Sequence, residues 1–388
     1  MDRDQELALA DRIAALADAG PAPAGRPPIV VPATVYTCPD RHRAELAAIA
    51  ARPFPALHRS ELPEPGSFVT VEVNGLPLLV VRGRDGVVRA LVNACAHRGS
   101  TVAHEAAGSA RAFSCPFHGW SYELDGSLRS VSDAALYSSA PCGTGLRSVP
   151  CEERHGIVWV TTAPEASSPL SVRDWLGAEL DGLIAAFGGD DTVVHATADY
   201  ELDCNWKLLT DGFLELYHLR YLHRTTIAPY FPANLWLNLR WGDHVAAAIP
   251  KNRLVRQLAS RPRDEWSLLQ DLSLPIVLVP GTIYQWQAGH IELFSFRPDP
   301  TDPRRTRCRL SLLVPADRAT DTELWDRNWD RVRDTIPGED FPVAEQVQRN
   351  IDRGAVTEVR LGANEQGLVD HLAGVDRLLA ELAGRAGR

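Results

Sequence analysis

Two short stretches, Cys95-Ala96-His97-Arg98-Gly99 and Cys115-Pro116-Phe117-His118-Gly119-Trp120, decide how this sequence folds. Each stretch offers one cysteine and one histidine, and seventeen residues separate the first histidine from the second cysteine. Thiolates and neutral imidazoles both bind metals, so a zinc site with two of each is one interpretation. Zinc sites, however, usually pair like with like at wider spacing, and this pattern does not.

A [2Fe–2S] cluster of the Rieske type is the second interpretation. In such a cluster, two cysteines hold one iron and two histidines hold the other. Two similar loops that each supply one ligand to each iron satisfy this arrangement. We therefore predict that Cys95, His97, Cys115 and His118 bind a Rieske cluster. A chance arrangement is the remaining alternative.

Three residues beside these ligands, Gly99, Gly119 and Trp120, are candidates for contact with the cluster. Each glycine follows a ligand pair, where a tight loop often needs a positive φ. Backbone N–H groups of the loops can also donate hydrogen bonds to cluster sulfurs. The plainer interpretation is that the glycines only form turns, and both can be true.

The residues before the first loop predict a small antiparallel sheet. Residues 68–73 alternate between apolar and polar side chains, as a strand does. Asn74-Gly75 is a strong hairpin signal, and 78–81 is the expected return strand. The sheet would carry the two cysteine–histidine loops.

A second motif lies in residues 205–223, which read NWKLLTDGFLELYHLRYLH. His218 and His223 are five residues apart, and Glu215 precedes the first by three. Two imidazoles and a carboxylate from elsewhere can form the facial triad of an Fe(II) site. Residues five apart on a regular helix are about 140° out of phase. Both imidazoles can thus reach one metal only if the helix is distorted or His223 lies past its end. The alternative is a helix with two unrelated histidines.

Composition excludes several classes of protein. The chain has 388 residues, 45% hydrophobic and 23% charged, as in an ordinary globular protein. A net charge of −10 argues against non-specific nucleic-acid binding. Neither a membrane-spanning apolar run nor the basic start of a signal peptide is present, so we expect a cytoplasmic protein without membrane contact. Seven cysteines in so long a chain do not suggest a disulfide scaffold.

The second half of the chain places strands before helices. Residues 276–297 and 307–314 are predicted strands. Residues 320–335, 339–352 and 364–384 are predicted helices. This order is typical of an α+β fold.

Taken together, the motifs resemble those of Rieske-type non-haem iron oxygenase α-subunits, the ring-hydroxylating oxygenase family. The resemblance extends over roughly residues 30–385. It is carried by Glu64-Pro65-Gly66, His97-Arg98-Gly99, Cys115-Pro116-Phe117-His118-Gly119-Trp120, Asp125-Gly126 and Asn205-Trp206-Lys207. Glu215 stands where many ring dioxygenases have Asp, which is similar to homomeric members acting on quaternary amines and related small molecules.

The resemblance implies an α+β fold of two domains. An antiparallel-β Rieske [2Fe–2S] domain is expected at 56–165. A helix-grip catalytic domain, in which a curved antiparallel sheet surrounds a long helix, is expected at 166–388. Residues 1–55 would be an N-terminal helical segment that packs on the catalytic domain.

The resemblance also implies the reaction and its partners. The chain would be a terminal oxygenase with a Rieske cluster, a mononuclear Fe(II) and O₂ as co-substrate, which hydroxylates or oxidatively demethylates a small organic molecule. NAD(P)H would act only through a separate ferredoxin or flavin reductase, because no Gly-x-Gly-x-x-Gly fingerprint follows a strand here. The alternatives are a ring cis-dihydroxylating dioxygenase and a Rieske electron carrier without oxygenase activity.

Two site residues are assigned by the resemblance. Asp340, in Gly338-Glu339-Asp340, would join His218 and His223 as the third iron ligand. The alternative is that Glu339 and Asp340 only complement a helix dipole. Glu215 would be an inter-subunit electron bridge that faces His118 of the neighbouring subunit in a head-to-tail homotrimer. Many members have Asn at or beside the position of Gly212, and this chain does not.

The substrate is the least determined part of the prediction. Candidates for the cavity wall are Trp236, Tyr284, Trp286, His290 and Phe294. An aromatic cage can hold a methylated ammonium by cation–π attraction. The alternative is that these aromatic residues pack the core. The alternative substrates are an aromatic acid, an aryl ether and a natural-product intermediate.

Overall fold

The chain forms two compact units in a computed structural model, which describes residues 3–20, 27–134, 137, 145–163 and 169–386. One unit is Ile49–Trp175. The other joins Met1–Ala48 with Leu176–Arg388. The boundary expected between 165 and 166 lies outside the described residues.

The elements are numbered in chain order. The helices are α1 (Arg3–Ala19), α2 (Pro39–Ala50), α3 (Val172–Leu176), α4 (Ala178–Ala185), α5 (Trp206–Asp211), α6 (Leu219–Leu222), α7 (Asn252–Ser260), α8 (Thr322–Thr335), α9 (Phe341–Asp352) and α10 (Gln366–Ala386). The strands are β1 (Ile29–Pro32), β2 (Phe54–His58), β3 (Ser67–Val73), β4 (Leu76–Arg82), β5 (Val88–Val92), β6 (Ala107–Ser109), β7 (Phe113–Ser114), β8 (Ser121–Tyr122), β9 (Leu128–Ser130), β10 (Ser148–Val149), β11 (Cys151–Arg154), β12 (Ile157–Val160), β13 (Thr192–Leu202), β14 (Leu237–Trp241), β15 (His244–Pro250), β16 (Leu272–Leu278), β17 (Thr282–Gln287), β18 (Ile291–Pro298), β19 (Thr306–Pro315) and β20 (Glu358–Leu361).

The unit Ile49–Trp175 is built from antiparallel sheets, as predicted. Its five-stranded sheet has the order β10-β5-β4-β3-β6, and two three-stranded sheets have the orders β11-β12-β2 and β7-β8-β9. The hairpin between β3 and β4 turns at Asn74 and Gly75, with φ of 52° and 76°. Both angles are positive, which is the backbone that a two-residue hairpin of type I′ needs.

The larger unit is built around one seven-stranded antiparallel sheet. Its order is β13-β19-β18-β17-β16-β15-β14, and the long helix α10 packs against β15 and β14. The predicted helices in the last third of the chain are confirmed as α8, α9 and α10. The predicted α+β class is confirmed as well.

N-terminal residues belong to this larger unit. Helix α1 contacts α7 and β14, and Arg263 and Asp11 form an ion pair of 2.8 Å. Strand β1 pairs with β20. Among the described residues, no helix has both the length and the apolar character required to cross a bilayer.

Candidate metal centres

The two cysteine–histidine loops have the same backbone hydrogen bonds. In each loop, the cysteine N–H donates to the carbonyl of the residue five positions later, at 2.8 Å for both Cys95 and Cys115. The glycine, Gly99 or Gly119, donates its N–H back to the cysteine carbonyl at 2.8 and 3.0 Å. Both glycines have positive φ, 77° and 69°. The sequence therefore encodes two copies of one ligand loop.

The two loop histidines face one another. The ring centroids of His97 and His118 are 4.6 Å apart, and Trp120 stacks on His97 at 4.9 Å. Desolvation and the nearby His118 and Arg98 hold the pKa of His97 below its usual value, so the imidazole stays neutral. Its Nδ1 is buried and has no hydrogen-bond partner within the described part of the chain, whereas Tyr137 Oη lies 3.4 Å from Nε2. A ring nitrogen left unpaired in this way fits a metal ligand.

The two loop cysteines are also suited to metal. Cys95 and Cys115 are buried free thiols. Burial opposes ionisation of Cys115, but hydrogen bonds from the Phe117 N–H, the Cys95 thiol and the His118 N–H hold its pKa below the ordinary value. The thiolate is the form that binds iron.

Tyr122 is a neighbour of the site that sequence reasoning did not single out. Its hydroxyl accepts the Ala96 N–H at 3.1 Å and lies 3.0 Å from Cys95 Sγ. Burial and the contact with Cys95 raise the pKa of Tyr122, so the hydroxyl keeps its proton. Since that hydroxyl already accepts from Ala96, its proton is free to be donated to the cysteine sulfur.

In the larger unit, the structure brings His218, His223 and Asp340 together. One ligand atom from each lies within 4.8 Å of the others. Asp340 Oδ1 is 3.6 Å from His218 Nε2 and 3.2 Å from His223 Nε2. Asp340 Oδ2 is buried and unpaired among the residues described here. Two imidazoles and a carboxylate with spare lone pairs fit a facial triad.

The five-residue spacing works because the segment is not one helix. Helix α5 ends at Asp211, and the four-residue α6 begins after His218. His223 follows α6 with φ −94° and ψ 25°, outside the helical region. The second histidine therefore lies past the helix end, which is one of the two solutions expected from the sequence.

A distorted helical turn is found instead in the segment that carries Asp340. Residues Ile336–Asp340 form a π-helix between α8 and α9. Asp340 stands at the N-cap of α9 but makes no side-chain capping hydrogen bond. Its carboxylate instead faces the histidines, which disfavours a role limited to the helix dipole.

Each triad histidine has a carboxylate at Nδ1. Glu215 contacts Nδ1 of His218 and accepts the N–H of Tyr217 at 2.6 Å and of His218 at 3.2 Å. Glu339 Oε2 lies 2.5 Å from Nδ1 of His223. This contact of Glu339 was not predicted from the sequence, where its only signal was the position of Glu339 next to Asp340.

A cavity of about 240 Å³ opens beside the triad. Its wall includes His218, Asp340, Gly212 and three further carboxylates. A Cβ on Gly212 would lie 3.9 Å from Asp340 Oδ1, so the glycine leaves this face of Asp340 uncovered. Burial and the charges of Glu215 and Asp211 raise the pKa of Glu365 on the same wall.

None of the five predicted substrate residues lines this cavity. Tyr284 and Trp286 stack on Phe187, with ring centroids 6.2 and 4.8 Å away. His290 pairs with Glu292 at 3.2 Å and is buried. These three residues pack in the core.

The other two substrate candidates contact the segment that carries the histidines. Phe294 meets Phe213, a residue of the cavity wall, at 5.0 Å. Trp236 packs in an apolar cluster with Leu216 and Leu219, on either side of His218. Both residues therefore pack against the segment that carries His218 and His223.

Comparison with known families gives two matches in separate parts of the chain. Residues 52–141 match the Rieske [2Fe-2S] domain, and 190–381 match the ring hydroxylating alpha subunit (catalytic domain). Together they span more than half of the sequence. The second match also argues against the electron-carrier alternative.

Curated relatives include both monooxygenases and dioxygenases. The chain is 28% identical to the glycine betaine monooxygenase oxygenase subunit of Chromohalobacter salexigens, over 75% of this chain and 72% of the relative. It is 32% identical to the carnitine monooxygenase oxygenase subunit of Escherichia coli, over 48% and 50%. It is also 32% identical to the anthranilate 1,2-dioxygenase large subunit of Acinetobacter baylyi, over 49% and 41%. The matches thus span half or less of the latter two relatives.

Solved structures share the fold. A quaternary ammonium Rieske monooxygenase has a TM-score of 0.74 at 22% identity, covering 88% of this chain and 94% of that one. Naphthalene 1,2-dioxygenase from Rhodococcus sp. has a TM-score of 0.72 at 20% identity, covering 91% and 95%. Because the chain matches both the Rieske domain and the catalytic domain, it belongs to the Rieske-type non-haem iron oxygenases. These are oxidoreductases whose cofactors are a Rieske [2Fe–2S] cluster and a mononuclear iron.

Proposed function

We propose that the chain is a terminal oxygenase component that hydroxylates or oxidatively demethylates a small organic molecule. It would use O₂ and electrons from a separate reductase, at an Fe(II) held by His218, His223 and Asp340. The observation that carries this proposal is the approach of these three ligand atoms to within 4.8 Å of one another, beside a cavity.

The protein groups around the proposed iron have separable tasks. When bound, the iron supplies open coordination positions for the reductive activation of O₂. Glu215 accepts at Nδ1 of His218, which leaves Nε2 of that ring as the ligand atom. Leu209, Phe213 and Leu222 give the cavity an apolar wall that limits water.

Electrons would reach this site from a Rieske cluster held by Cys95, His97, Cys115 and His118. We propose that Glu215 bridges His218 and His118 of the neighbouring subunit in a homotrimer. The contact of Glu215 with His218 supports the first half of that bridge. A solved quaternary ammonium Rieske monooxygenase is described with inter-subunit electron transfer, which supports the second half by likeness. The reductase partner and the cytoplasmic location remain predictions.

A cationic methylamine is the substrate class that we favour. The cavity wall carries Asp211, Glu215 and Glu365 against one arginine, Arg360. Such a wall attracts a cation and repels an aromatic acid. The relatives named for glycine betaine and carnitine support the same class. Ring dihydroxylation is the second candidate, supported by likeness to the anthranilate dioxygenase subunit.

Metal and sulfide analysis of anaerobically purified protein tests the proposal. About three irons and about two acid-labile sulfides per chain are expected, and Asp340→Ala should lose one iron and no sulfide. Zinc without sulfide would refute the proposal. NADH-driven O₂ uptake with a reductase then separates methylated ammonium compounds from aromatic acids as substrates.

A further inference from the structure

The two carboxylates that hold the triad histidines stand in different surroundings. Glu215 lies in the cavity wall, three residues from His218 in the same turn. Glu339 does not line the cavity and lies 116 residues from His223 in the chain. Thr226 Oγ1 donates to the same Glu339 oxygen at 2.8 Å, so that oxygen is held from two sides.

We propose that Glu339 is a positioning residue of the mononuclear metal site, which orients His223 through Nδ1 and directs Nε2 to the metal. This inference rests on the proposed function, since it takes His218, His223 and Asp340 as the ligands. His223 is 1% exposed, so in the intact chain Glu339 rather than water contacts its Nδ1. A carboxylate at the second ring nitrogen fixes the tautomer and raises the basicity of the ligand.

Two consecutive residues of the π-helix contact the same imidazole. Glu339 contacts Nδ1 of His223, and Asp340 lies 3.2 Å from its Nε2. On a regular α-helix, consecutive side chains point about 100° apart. Here both residues stand at the end of the π-helix Ile336–Asp340, and one carboxylate lies at each nitrogen of the ring. One segment thus supplies a ligand and also orients a second ligand.

Binding of Co(II) to the full chain, with the Rieske cluster retained and the mononuclear iron removed, tests this role. Glu339→Ala should weaken Co(II) binding roughly 10- to 100-fold, and Glu339→Gln should recover part of the loss because its amide oxygen still accepts from Nδ1. The EPR signal of bound Co(II), measured with the cluster oxidised, should change in the alanine variant. Thermal unfolding of the metal-depleted variants shows that they fold.

Two further variants separate orientation from charge. Asp334→Asn removes an exposed carboxylate of α8 and should leave Co(II) affinity within about twofold. Thr226→Val changes no charge but removes the hydrogen bond to Glu339, so it should weaken binding. Its effect should not add to that of Glu339→Gln, because both act through one contact.

The outcomes distinguish this inference from the proposed function. Unchanged Co(II) affinity and an unchanged EPR signal in Glu339→Ala would overturn the role of Glu339, which would then only complement the dipole of α9. Additive effects of the Thr226 and Glu339 variants would also overturn it. If Asp340→Ala bound Co(II) as well as the unmodified chain, the triad itself would be wrong.

Discussion

The two metal centres of this chain are assembled in opposite ways. All four proposed cluster ligands lie between Cys95 and His118, on two loops whose backbone hydrogen bonds close within each loop. The triad takes His218 and His223 from one segment and Asp340 from another that lies more than a hundred residues later. The residues of the first centre are thus close together in the sequence, whereas those of the second meet only in the tertiary structure.

This difference determines what each centre depends on. The cluster loops require local turn chemistry, above all positive φ at Gly99 and Gly119. The triad requires the larger unit to fold, because distant segments meet only when their helices pack. Damage to one centre should therefore spare the other.

Loss of a cluster ligand should have the largest effect. Cys115→Ser removes a buried thiolate ligand, so we expect loss of the acid-labile sulfide and of all reductase-driven turnover. The mononuclear site should still bind about one Fe(II) per chain. Iron and sulfide analysis measures both. Loss of the mononuclear iron in the same variant would show that the two centres are not independent.

Loss of a buried ion pair between distant segments of the larger unit should damage only the triad. Lys207, at the start of α5, forms a fully buried ion pair of 2.6 Å with Glu45. Burial, outweighing the attraction of Glu45, lowers the pKa of Lys207. Lys207→Met removes this contact and leaves Glu45 with the Arg41 guanidinium at 2.8 Å and the Trp206 indole N–H at 3.2 Å. The loss of one charged hydrogen bond should cost about 1.5–3 kcal/mol of stability in the larger unit.

Calorimetry and sulfide analysis check this result together. The unfolding transition of the larger unit should move to lower temperature while sulfide stays at the unmodified level. The double variant Lys207→Met with Glu45→Leu serves as the control. It removes both charges of the buried pair while Arg41 keeps Asp376 at 2.8 Å, so it should recover part of the stability. A loss of sulfide in the single variant would contradict the comparison.

The proposed bridge between the centres gives the next prediction. Glu215→Gln keeps an oxygen that can accept from His218 but loses the charge. Both metals should stay bound, and turnover should fall roughly 10- to 100-fold. Reductase-driven turnover and iron content per chain, measured on the same preparation, check this expectation. Loss of mononuclear iron would make Glu215 a structural support rather than a bridge.

The smallest expected effect concerns the cluster alone. Tyr122→Phe removes the hydroxyl that lies 3.0 Å from Cys95 Sγ. A hydrogen bond to the sulfur stabilises the reduced, more negative cluster. Its loss, worth about 1 kcal/mol, should lower the potential by roughly 40 mV. Potentiometric titration measures the shift, and an unchanged potential would mean that the hydroxyl does not donate to the sulfur.

Sequence reasoning was most informative where chemistry is local. The four cluster ligands, the glycines with positive φ and the hairpin at Asn74 were predicted because each depends on neighbours a few residues away. The spacing of His218 and His223 predicted that a regular helix could not hold both. It did not predict which of the two solutions the chain adopts.

Only the tertiary structure decided the rest. The contacts of Glu339 with His223 and Thr226 join residues more than a hundred positions apart in the chain, and no local signal in the sequence predicted them. Aromatic side chains such as Tyr284 and Trp286 pack in the core, because burial drives aromatic residues there as readily as into a cavity. The spacing of the motifs thus determined which cysteines and histidines we propose as metal ligands. Packing between distant segments decided which carboxylates lie beside those histidines, because contacts between residues far apart in the chain form only when the whole unit folds.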